Sequence, residues 1–174
     1  METNKTAEQL LEESFSLIDA KHGTKFEKSK TAFLTFSLSN GSINISAFLA
    51  RAIGLVSGDR IAILQSKTNP LKVLIAKTSQ RHKTLEVRIV NGVSKINSKK
   101  ITDDIGSSFR FNKGKGVIRL YVNISSPVKI SSDISDNAYQ IFDIPELRED
   151  FPSESEKQDY IKYISANPYI IAQK

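Results

Sequence analysis

The stretch from Ile43 to Ile61, INISAFLARAIGLVSGDRI, constrains the fold more than any other part of the chain. Ile43 and Ile45 alternate with polar residues, as in a half-buried strand. Ser46 stands where a helix needs an N-cap, its hydroxyl accepting a free backbone N–H of the first turn. Leu49, Ala52 and Ile53 recur at helical spacing, and Gly54 supplies the positive φ that ends a helix. Ser57-Gly58-Asp59 is a turn, after which Ile61 and Ile63 resume the alternation of a strand. A strand, a helix of one and a half turns and a second strand packed this closely imply a mainly β fold with short helices.

The flanking sequence extends the pattern. Ala32, Leu34 and Phe36 share one side of an expected strand over 30–38, with Phe33 on the other, and Asn40-Gly41 is a hairpin turn. Pro70 is expected to open a strand over 71–78. Leu85, Val87 and Ile89 alternate with Glu86 and Arg88 in a single expected strand over 84–90, followed by a turn at Asn91-Gly92. Phe109 and Phe111 alternate about Arg110 and are expected in a hairpin with 117–124, turning at 112–116. Two short strands are expected near 128–130 and 139–144. Helices are expected over 7–20, behind the capping box Thr6-Ala7-Glu8-Gln9, and from Ser153 to about Ser165, behind Ser153-Glu154-Ser155-Glu156. Residues 145–152 read as an acidic linker.

The opening unit has a weak internal echo. Ser98, Ile101, Ile105 and Gly106 fall at the spacing of Ser46, Leu49, Ile53 and Gly54. Two degenerate strand-helix-strand repeats would then supply the two halves of one barrel.

The unit resembles the swapped-hairpin β-barrel family of AbrB and MraZ on Ile43, Ile45, Leu49, Ile53, Gly54, Leu55, Gly58 and Asp59. The resemblance implies a small half-barrel, often completed by a dimer partner. Ser42 and Ala50 occupy the positions where DNA-binding members of that family carry arginines, so their DNA-reading residues do not carry over. From Ser39 to Ile105 the chain is also similar to proteins encoded by phages and prophages of Bacteroidetes, which implies a phage context.

Charge is distributed unevenly. Residues 1–24 carry 2 basic and 5 acidic side chains, residues 25–132 carry 19 and 5, and residues 133–174 carry 4 and 9. The expected organisation follows these blocks: an acidic N-terminal helix (1–24), a basic barrel-like core (25–145), and an acidic C-terminal helix with an apolar tail (146–174). A basic middle suits phosphate contacts, or acidic ends packed onto it in the same chain or a neighbouring copy. With no cysteine there are no disulfides or thiolate metal sites, and no apolar run is long enough to span a membrane.

No catalytic residue, cofactor or metal site can be read from the sequence. His22 and His82 are the only histidines and both fall in polar connections. Asp103 and Asp104 point about 100° apart on a helix, which argues against a shared cation. The leading expectation is a non-enzymatic, phage-encoded structural or assembly protein, a capsid or tail accessory of the virion. It would form homo-oligomers or contact other phage structural proteins, in the particle or in the cytoplasm of the infected bacterial host. Tyr169, Ile170 and Ile171 are its expected anchor, and Glu154, Glu156 and Asp159 its acidic partner face. The alternative is an AbrB-like DNA-binding regulator or nucleoid-type protein, with Arg51, Arg60, Lys67, Lys95, Lys99 and Lys100 on phosphates.

Overall fold

The computed structural model describes residues 31–130, 133–135 and 137–166. The expected helix over 7–20, His22 and the tail Tyr169-Ile170-Ile171 lie outside the described residues. The chain divides into two units, 1–31 and 32–174, and the second holds every element below.

Among the described residues nine strands form one antiparallel sheet that curls into a nearly closed barrel. They are β1 (Phe33–Ser37), β2 (Ser42–Ile45), β3 (Arg60–Gln65), β4 (Val73–Thr78), β5 (Leu85–Glu86), β6 (Arg88–Val90), β7 (Val93–Asn97), β8 (Val117–Val128) and β9 (Ala138–Phe142). Among the described residues three helices accompany them: α1 (Ala47–Ala52), α2 (Lys99–Ser108) and α3 (Glu154–Ser165). The strand order is β5-β3-β4-β9-β8-β1-β2-β7-β6. Leu34, Phe36, Ile43, Ile61, Ile75 and Leu120 fill the interior with no exposed surface. The fold is mainly β with accompanying helices, as the alternation in the sequence implies.

The two edge strands of the sheet, β5 and β6, are consecutive in the chain and separated only by Val87. The single strand expected over 84–90 is therefore two. Its first half pairs with β3 and its second with β7, so one run of backbone crosses the seam of the barrel. Val87 is fully buried at that crossing. Its N–H donates to the Asp59 carbonyl at 2.7 Å, and its carbonyl accepts from the Gly58 N–H at 2.9 Å. Asp59 in turn accepts from the Val56 N–H at 2.8 Å and stands 3.3 Å from the Lys77 ammonium. Gly54 and Gly58 take φ of 68° and 92°, values that cost glycine little. The Gly-Leu-x-x-Gly-Asp signature thus shapes the loop that grips the seam.

The internal echo holds in its first half only. Ser46 and Ser98 both cap helices, accepting from the N–H groups of Leu49 at 3.3 Å and Ile101 at 3.1 Å. The first helix stops before Gly54, but α2 runs through Gly106 to Ser108. Gly106 is there for packing: a Cβ would stand 3.0 Å from the Phe111 ring. The reversal after α2 falls instead at Arg110, whose φ is 51°.

Other boundaries move as well. Residues 107–111 are the end of α2 and a turn, not a hairpin strand, because Phe109 and Phe111 are buried from a helix terminus. The fourth strand begins at Val73, since Asn69 holds Leu71 and Lys72 in a turn. The strand expected near 128–130 is the end of the long β8. Residues 145–150 are no loose linker: Pro145–Leu147 form a 3-10 turn, and Arg148 and Asp150 are buried.

Candidate functional site

Three features of the barrel carry chemistry, and one of them is internal. The Arg148 side chain is only 3% exposed, and all five of its N–H donors are used. Nε and Nη2 grip the two Asp150 carboxylate oxygens at 2.8 and 2.7 Å. Nη1 donates to Asp143 Oδ2 at 2.8 Å and to the Phe109 carbonyl, and Nη2 also donates to the Arg110 carbonyl at 2.9 Å. Tyr160 of α3 donates to the same Asp143 oxygen at 2.6 Å. One buried cation thus faces two carboxylates. Asp150 holds the two-pronged contact and a further bond from the Asn112 N–H. Burial pushes its carboxyl up, but these bonds outweigh burial and hold it below the usual carboxylate value. Asp143 keeps one buried oxygen, Oδ1, without a partner among the described residues. Burial prevails there over the Arg148 charge, so its carboxyl is held above the usual value. Burial and the adjacent Asp143 charge push the Tyr160 phenol far up. The cluster ties the turn after α2, the 143–150 segment and α3 together.

The second feature is the outer face of β6, β7, β2, β1 and β8. None of these five strands contains Asp or Glu; Glu86 is the only acid in all nine. Register aligns one outward row across them: Arg88, Lys95, Asn44, Thr35 and Arg119. The Arg119 guanidinium lies 3.8 Å from the centre of the Phe33 ring, and Phe33 pairs in register with Tyr121. Thr35, Arg119 and Tyr121 also line a cleft of about 420 Å³, together with Lys115, Leu147 and Glu149.

The third feature is the β6 edge. The inward row Leu120, Leu34, Ile45, Ser94 is buried, and its next member, Ile89, is 44% exposed. Val90 and Val93 beside it are 47% and 37% exposed. An apolar row that starts in the core therefore runs out into solvent at the edge of the sheet.

The six basic residues expected on phosphates do not converge. Arg51 is exposed on α1. Arg60 begins β3 and is held by Thr84, its Nε and Nη2 donating to the Thr84 hydroxyl and carbonyl at 2.7 Å each. Lys67 lies just past the other end of the same strand. Lys99 and Lys100 are paired along α2 with Asp103 and Asp104 at 2.7 and 2.6 Å. Lys95 alone belongs to the acid-free face. Arg88 and Arg119, its companions there, were legible only as outward positions of alternating strands. Of the acidic set, Glu154, Glu156 and Asp159 are exposed on α3. Glu156 and Asp159 share a cleft with Arg110 and Lys113, so part of the acidic C-terminal block faces basic residues of its own chain. Among the described residues no helix is long and apolar enough to cross a membrane.

No family model, curated protein or solved structure matches this chain.

Proposed function

We propose that this chain is a non-enzymatic assembly protein of a phage particle, working through contacts with copies of itself and with other virion proteins. The observation that supports this reading is the β6 edge. Ile89, Val90 and Val93 cluster where the sheet ends, and an edge strand with exposed apolar residues is a template for pairing with another chain. The exposed acidic residues Glu154, Glu156 and Asp159 of α3 give the same molecule a second, charged surface for orienting neighbours. The AbrB- and MraZ-like reading of residues 43–61 belongs to this proposal as scaffold: its glycines and Asp59 serve the barrel seam. Sedimentation velocity over a range of concentrations tests the reading. The wild type is expected to self-associate reversibly and Ile89→Lys to stay monomeric with an unchanged melting temperature. Monomers at every concentration for both would remove the β6 edge as an assembly surface.

A further inference from the structure

The β6–β7 hairpin breaks a rule of sheet stability. Arg88 and Lys95 are directly opposed in register on the outer face, and like charges so placed destabilise a sheet. Neither has a carboxylate partner among the described residues. A local penalty of this kind points to a site, because sequences depart from local consistency chiefly where a ligand repays it. An anion seated between the two cations would turn their repulsion into attraction.

The rest of the face narrows the ligand. The row continues through Asn44, whose Oδ1 is buried without a partner among the described residues, and the half-buried Thr35, to Arg119. Four strand-to-strand steps of about 4.8 Å separate Arg88 from Arg119, roughly 19 Å in all. A single small anion does not span that distance; a chain of phosphates does. At the far end the chemistry changes from charge to stacking. The Arg119 guanidinium lies over the Phe33 ring, with Tyr121 next to it in register. A stacked guanidinium offers its free plane to a nucleobase, and aromatic side chains on a sheet do the same. The cleft of about 420 Å³ between Arg119, Tyr121 and Leu147 gives an unstacked base room. Lys115 and the exposed Glu149 share its lining, so opposite charges offset there and the stack is the feature that favours a base.

We propose that the outer face of β6, β7, β2, β1 and β8 binds single-stranded nucleic acid, with phosphates on Arg88 and Lys95 and a base on the Arg119–Phe33 stack. This goes beyond the assembly reading, since it uses the charged pair Arg88 and Lys95 of the hairpin and not Ile89, Val90 or Val93. It also differs from the phosphate set expected from sequence, of which it retains Lys95 alone. Duplexes hide their bases from such a stack, so the face prefers single strands.

The test is fluorescence anisotropy of the full chain with a labelled oligothymidine of about twenty nucleotides, the same length of RNA, and a duplex. Single strands are expected to bind more tightly than duplex, with log K falling against log salt at a slope of about −1.4, as two cations on single-stranded phosphates require. Arg88→Glu is expected to weaken binding about tenfold or more and to raise the melting temperature, because it places a carboxylate opposite Lys95. A purely structural role for Arg88 would change the melting temperature alone. Arg119→Ala is expected to weaken single strands and leave duplex binding unchanged. Lys67→Glu, an equal change in net charge off this face, is expected to leave binding intact. No binding at low salt, an equal loss for Lys67→Glu and Arg88→Glu, or a preference for duplex would each overturn the proposal.

Discussion

Arg148 and Asp150, two residues apart in the chain, form a two-pronged ion pair that is almost completely buried, at 2.8 and 2.7 Å. The same guanidinium holds Asp143 and the carbonyls of Phe109 and Arg110, so it joins the barrel to the turn after α2. Removing one partner from a buried pair strands the other's charge, which costs about 3–5 kcal/mol. Arg148→Met leaves two carboxylates without their cation and is expected to lose that much in urea denaturation, with an unchanged m-value.

Asp143 and Asp150 drive stability in opposite directions with pH. The Asp143 carboxyl is held above its unfolded value of about 3.9. Its contribution is therefore complete below that value and is lost as pH rises through the native pKa. The Asp150 carboxyl is held below its unfolded value, so its contribution is present above about 3.9 and is lost as pH falls through the native pKa. Asp143→Asn deletes the first effect and keeps the second. The stability of wild type relative to Asp143→Asn is expected to decline as pH is raised from about 4 toward neutrality. A difference independent of pH, measured by urea denaturation across that range, would contradict the assignment.

Gly41 and Gly92 have nearly the same φ, 75° and 77°, but different surroundings. A Cβ on Gly41 would stand 2.5 Å from both the backbone N and Cα of Lys99, whereas one on Gly92 meets nothing within 4 Å. Ser98 also donates its N–H to the Gly41 carbonyl at 3.0 Å, docking the start of α2 on the β1–β2 turn. Gly41→Ala is expected to cost clearly more than Gly92→Ala, and well above about 1 kcal/mol, by thermal or urea unfolding. Equal costs would mean that φ alone matters at both turns.

Local signals in the sequence were enough to locate the elements whose cause is local. The Ser46 and Ser98 caps, the alternation of Leu34 and Phe36, and the Asn91-Gly92 turn each depend on a few neighbouring residues, and each is where the pattern puts it. The break at Val87 was hidden because both halves of 85–90 keep one alternation, and only their partners differ. Gly106 matched Gly54 by spacing, yet its reason is the Phe111 ring against it. The buried cluster was the least legible. Arg148 and Asp150 sit among acids and prolines that read as a solvated linker, and their partners come from Phe109, Arg110, Asn112 and Tyr160. The outer row has the same character: Arg88, Lys95 and Arg119 are far apart in sequence and meet only through register.

Quantitative mass spectrometry of purified phage particles tests the assembly reading most directly. This chain is expected in the particle at high copy, in fixed proportion to the major structural proteins through successive purification steps. Its absence from particles, with the chain abundant in the infected cell, would contradict the account.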